Sequence, residues 1–125
     1  MSALLSSISI EGQTITPAFD PYTYAYEVAL GPGETFDVEL EQVNDAATIV
    51  ITNAFDTPPS GVIAREYYTA TPHSSSVTPG KTTYGCYVAT KAASPSVTDI
   101  GGTLTMTVTV GDDTEVYTLH ITPDT

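Results

Sequence analysis

The chain has 125 residues, 41% of them hydrophobic, and sets 15 acidic side chains against 3 basic ones, for a formal net charge of −12. That length fits one domain, 1–125, able to bury its own core, and no apolar run approaches the roughly 18 residues of a membrane-crossing helix. The acidity argues against nucleic acid and against an anionic membrane as partners, since both require cationic surface.

The charge is unevenly spread. Residues 1–52 hold eight acids and no base, and residues 102–125 hold four acids and no base, whereas 53–101 is neutral because Asp56, Glu66 and Asp99 balance Arg65, Lys81 and Lys91. The single cysteine, Cys86, rules out an internal disulfide or a multi-cysteine metal site. It reads as a small buried thiol. The opening MSALLSSISI lacks the basic region and sustained apolar core of a secretion signal.

Alternation begins at once, with Ile8 and Ile10 separated by serine. In ITPAFDPYTYAYEV, residues 15–28, two prolines bracket Phe19 and Asp20 and three tyrosines follow. Prolines fix φ and stop a strand, and Asp bonds nearby amides, so this stretch predicts a corner between sheets with Phe19 and Tyr26 packed inward. Tyr22 and Tyr24 are left as candidate contact residues. Tyr24, Tyr26, Val28 and Leu30 then share one face of a strand, as do Phe36, Val38 and Leu40 beyond the turn GPGE at 31–34. ATIVIT at 47–52 is apolar on both faces, which predicts a central strand.

The middle is less regular. TPPSG at 57–61 reads as a turn, 62–70 as a strand, 71–81 as a loop, 82–90 as a strand and 91–102 as a returning loop. Clear alternation resumes where Leu104, Met106, Val108 and Val110 oppose Thr103, Thr105, Thr107 and Thr109. After GDDTE at 111–115, which predicts a hairpin, Tyr117, Leu119 and Ile121 oppose Thr118, His120 and Thr122. Period-two patterns with one polar face predict antiparallel strands and an all-β sandwich.

LSSISIEG at 5–12, ITPAFDPYTYAYEVAL at 15–30, FDVEL at 36–40, ATIVIT at 47–52, LTMTVTV at 104–110 and YTLHIT at 117–122 together resemble the cadherin-like β-sandwich family. These immunoglobulin-like domains occur in bacterial surface proteins and in some phage proteins. The resemblance covers residues 5–52 and 103–122 and is most specific in the first half. It implies an immunoglobulin-like antiparallel β-sandwich, with an inserted β-hairpin in the longer segment 53–101.

Catalytic signals are weak. His73 lies in a Ser/Pro loop, His120 lies on a polar strand face, and no Gly-x-Ser-x-Gly elbow occurs. PGKTT at 79–83 lacks the first glycine of a phosphate-binding loop. The acidic sets Asp37, Glu39, Glu41 and Asp112, Asp113, Glu115 have no EF-hand spacing and read as solvated faces. No metal, cofactor or enzymatic activity is expected.

The candidate binding residues are Tyr67, Tyr68 and Tyr87 with Arg65, Lys81 and Lys91, where adaptable aromatics lie close in sequence to the chain's only cations. The expected role is that of a structural and interaction module of a phage virion, as a capsid decoration or tail-associated protein. A virion protein needs no export signal, and the strands reach near both ends of the chain, as expected where termini are held. Its partner would be a capsid or other virion protein, or further copies in a homo-oligomer. A bacterial cell-surface adhesion or spacer domain, extracellular in location, is the alternative, with a carbohydrate-binding module third.

Overall fold

The computed structural model describes residues 2–10, 12–31, 35–66, 68–69, 75–78, 81–88 and 97–123, with side chains except at 35, 36 and 65–88. Eleven strands follow in order: β1 (Leu5–Ile10), β2 (Ala25–Leu30), β3 (Thr35–Gln42), β4 (Thr48–Phe55), β5 (Ile63–Glu66), β6 (Tyr68–Thr69), β7 (Ser75–Thr78), β8 (Lys81–Val88), β9 (Val97–Ile100), β10 (Gly102–Val110) and β11 (Asp113–Pro123). One sheet runs β1-β3-β8-β6, with β7 also on β8. A second runs β2-β11-β10-β4, and β5 with β9 makes a small pair.

The alternating residues build the core as their period requires. Leu5, Ile8, Ile10, Val38 and Leu40 come from the first sheet. Tyr26, Val28, Leu30, Leu104, Met106, Val108, Tyr117, Leu119 and Ile121 come from the second, and all are buried in one cluster. Two sheets that share one apolar interior make a β-sandwich. The hairpin expected at 111–115 closes with Val110 opposite Asp113. Gly111, at φ 57°, takes the first position of its two-residue loop, the left-handed conformation that a type II′ turn reserves for glycine.

Four features differ from the sequence reading. β4 is an edge strand rather than a central one. Ile49 and Ile51 pack against the core, but Val50 points outward and is 59% exposed. The sheets are also not wholly antiparallel, since β2 lies parallel to β11 and β5 parallel to β9. For β2 the reason is the crossing that includes 12–24, which leaves β1 in one sheet and delivers β2 to the other.

The segment 53–101 does hold a hairpin, β7–β8, but β8 pairs with β3 from Thr35 to Glu41 and so forms the interior of the first sheet. That makes the hairpin framework rather than an addition to it. Finally, the stretches 71–81 and 91–102, read as loops, contain β7 and β9. Both are four-residue strands; β7 folds straight back onto β8, whereas β9 takes its partner, β5, from more than thirty residues earlier.

Candidate functional site

The corner at 15–28 is built from aromatics and backbone. Asp20 opens a turn in which the Thr23 amide donates to its carbonyl at 2.9 Å and the Tyr22 amide donates to its Oδ1 at 2.8 Å. Pro21 supplies the fixed φ that such a turn favours. The Tyr26 hydroxyl donates to the Asp20 carbonyl at 2.7 Å and accepts from the Asp20 amide at 2.9 Å. The Tyr117 hydroxyl, arriving on β11, donates to the Pro21 carbonyl at 2.7 Å and accepts from the Leu5 amide at 3.1 Å.

Phe19 fills the space between these two rings, with centroids 5.8 Å from Tyr26 and 6.5 Å from Tyr117, and Tyr24 stands 5.0 Å from Tyr117. Burial raises the Tyr117 hydroxyl above the ordinary tyrosine range, aided by the negative groups around it and opposed by the Leu5 amide. Tyr24 is raised too, by desolvation first and then by Glu115. The Tyr26 and Tyr117 hydroxyls are both engaged with backbone, which ties the corner to β1, β2 and β11 as scaffold. Tyr26→Phe should therefore lower stability by about 1–2 kcal/mol, from two lost hydrogen bonds. Tyr22→Ala, at a side chain 74% exposed, should change it by less than about 0.5 kcal/mol. Urea unfolding measures both, and equal losses would contradict this division of roles.

The outward face of β2-β11-β10-β4 is different in kind. Register sets Thr52, Thr105 and Thr118 in one cross-strand row and Thr48, Thr109 and Thr114 in another, with Val50, Thr107 and Val116 between them. Val50 and Val116 are 59% and 45% exposed. Among the described residues, Glu27 is the one carboxylate at an outward position on these four strands. In a chain of net charge −12 this is a broad face almost without charge. Threonine suits it, because a branched side chain favours the strand while its hydroxyl stays hydrated.

Two shallow grooves, of about 360 and 500 Å³, lie where residues 12–17 run beside β2, and both are lined by Thr16 and Glu27. At the rim of the first, His120 Nε2 meets Asp56 Oδ2 at 2.9 Å. Asp56 thus holds the His120 ring by one of its two nitrogens. Among the described residues no three His, Cys, Asp or Glu side chains are grouped so as to hold a metal ion.

Where they are described, the candidate binding residues fall on two sheets. Arg65 is on the β5–β9 pair, opposite Asp99. Tyr68 and Tyr87 fall on adjoining strands of the first sheet, opposite Val88 and Thr69, and Lys81 begins β8 opposite Glu41 and Thr78. Tyr67 and Lys91 lie outside the described residues, as do the side chains of the other four. The backbone therefore brings Tyr68, Tyr87 and Lys81 to one sheet and leaves Arg65 on another.

No family model, curated protein or solved structure matches the chain. What can be said of function rests on its own surface. In the sequence the run Thr103, Thr105, Thr107, Thr109 marked a threonine-rich outer face of one strand, without marking it as a candidate site. Its breadth came only from registering β4 and β11 on either side.

Proposed function

We propose that the chain is a non-enzymatic structural and interaction module, an immunoglobulin-like sandwich that docks into a larger assembly, with a phage virion as that assembly. The strand order supports the fold reading. In an immunoglobulin constant-type sandwich one sheet holds strands A, B, E and D and the other C, F and G. Here β1, β3, β8 and β6 run in the first order and β4, β10 and β11 in the second, with β2 as the detached half of a split first strand. The cadherin-like motifs at 5–30 point the same way.

The observation that carries the role is the uncharged threonine face on a strongly acidic body. Across the β4-β10-β11 part of this face, away from Glu27 on β2, a protein surface can cover the threonine rows without stranding buried charge, and Val50 and Val116 give it an apolar centre. A capsid or tail protein is the partner proposed. A bacterial surface spacer is the second reading, favoured by the same motifs, which that family shares between surface and phage proteins.

Fractionating the native source into particles, envelope and soluble material, followed by intact-mass measurement, tests the assignment. A chain of this sequence recovered in particles supports the virion role. Recovery solely within a longer envelope polypeptide overturns it in favour of the spacer.

A further inference from the structure

The strand edges of this sandwich are managed unequally. Residues 12–17 cover the outer edge of β2, where Thr16 and Glu27 exchange backbone hydrogen bonds at 2.9 and 2.7 Å. β1, at the edge of the other sheet, is six residues long and its register with β3 is broken between Leu5 and Ser7. Covering and bulging are two ordinary ways of keeping a foreign strand away. β4 shows neither. It runs eight residues in unbroken register against β10, and from 46 to 55 it carries no proline and no charged side chain. No strand among the described residues pairs with its other side. Such an edge is a template for one more strand.

The sequence of the edge specifies which strand fits. Residues 48–52 read Thr-Ile-Val-Ile-Thr, the same in both directions. If two copies pair antiparallel about a two-fold axis at Val50, Thr48 of each stands opposite Thr52 of the other, Ile49 opposite Ile51, and Val50 opposite itself. Directly opposed Thr–Thr and β-branched pairs are the favourable cross-strand combinations. Thr48, Val50 and Thr52 are all exposed and Ile49 and Ile51 half-buried, so the match holds on both faces. The electrostatics select the same place. Two chains of −12 repel in most orientations, and this edge brings them together with Asp45 and Asp56 outside the paired segment.

We propose that two copies of this chain associate through β4, joining their four-stranded sheets into one of eight strands. The interface is isologous, so each copy spends its open edge on the other and assembly stops at two. The inference stands apart from the virion reading, since it rests on the edge and its palindrome alone.

Sedimentation velocity on the full chain, from about 1 μM to about 1 mM, tests it. The mass is expected to rise to that of two copies. Val50→Lys and Val50→Glu, at an exposed position that leaves the fold intact by circular dichroism, are each expected to weaken the dimer about tenfold or more by placing like charges on the axis. An equimolar mixture of the two variants should recover it as a heterodimer. A wild-type chain of single mass throughout, a dimer indifferent to both substitutions, or a mixture that recovers nothing would each overturn the proposal.

Discussion

Gly101→Ala is expected to be the most damaging single-methyl change in the described part of the chain. A Cβ built on Gly101 would lie 1.9 Å from the carbonyl oxygen of Ile121 and 3.0 Å from its carbonyl carbon. Both atoms are backbone of β11, held between β2 and β10, so no side chain can rotate away. Gly101 is itself buried, and its carbonyl accepts from the Asp56 amide at 3.0 Å. Relief must come from moving β11 or the β9–β10 junction. Forced repacking of this kind costs about 3 kcal/mol or more, enough to lower Tm by on the order of 10 °C. Differential scanning calorimetry on the purified variant is the check. A melting temperature within a degree of the parent would mean that the β9–β10 junction yields freely, contrary to the packing described.

Tyr117→Phe should produce the next largest loss and also change its dependence on pH. The substitution keeps the ring against Phe19 and Tyr24 but strands the buried Leu5 amide and the Pro21 carbonyl. Leaving such groups without partners costs about 2–3 kcal/mol. The pH effect follows from the raised pKa of the Tyr117 hydroxyl. An unfolded tyrosine ionises near 10.0, whereas the folded Tyr117 hydroxyl stays protonated above that value. Its contribution is therefore whole below pH 10 and drains away as the pH climbs, because the unfolded chain gives up its proton first. Denaturant midpoints between neutral and strongly alkaline pH should fall steeply beyond 10 for the parent and less steeply for the phenylalanine variant. Parallel curves would show that this hydroxyl does not govern alkaline unfolding.

The two substitutions probe parts of the molecule that were unequally legible in the sequence. The Tyr117 environment was readable, because prolines at 17 and 21, an aspartate between them and alternating tyrosines are local signals of a corner. The rows Leu104 to Val110 and Tyr117 to Ile121 were equally plain, since period two with one polar face has a single structural meaning. Gly101 gave no sign, because the reason for it is the backbone of a residue twenty positions away.

β4 was misread for an instructive reason. Apolar residues on both faces ordinarily mean burial on both faces, but Val50 faces outward on a surface that is itself uncharged. β8 carried strand propensity yet no indication that β3, more than forty residues earlier, was its partner. For the candidate tyrosines and cations, sequence proximity suggested a single patch. Strand pairing places Tyr68, Tyr87 and Lys81 on one sheet and Arg65 on the small β5–β9 pair.

The parallel pairing of β2 with β11 has a mechanical consequence. When the chain is held near its two ends and stretched, tension that has passed β1 enters at the start of β2 and leaves at the end of β11. Because the strands point the same way, from Ala25 beside Thr118 to Leu30 beside Pro123, the pull slides one along the other. All the bonds of that ladder share the load and must break together, whereas a hairpin such as β10–β11 pulled open from its strand ends would unzip bond by bond. The Tyr117 hydroxyl adds a rivet, tying β11 to both Leu5 and Pro21. The split first strand is therefore expected to act as a clamp against extension.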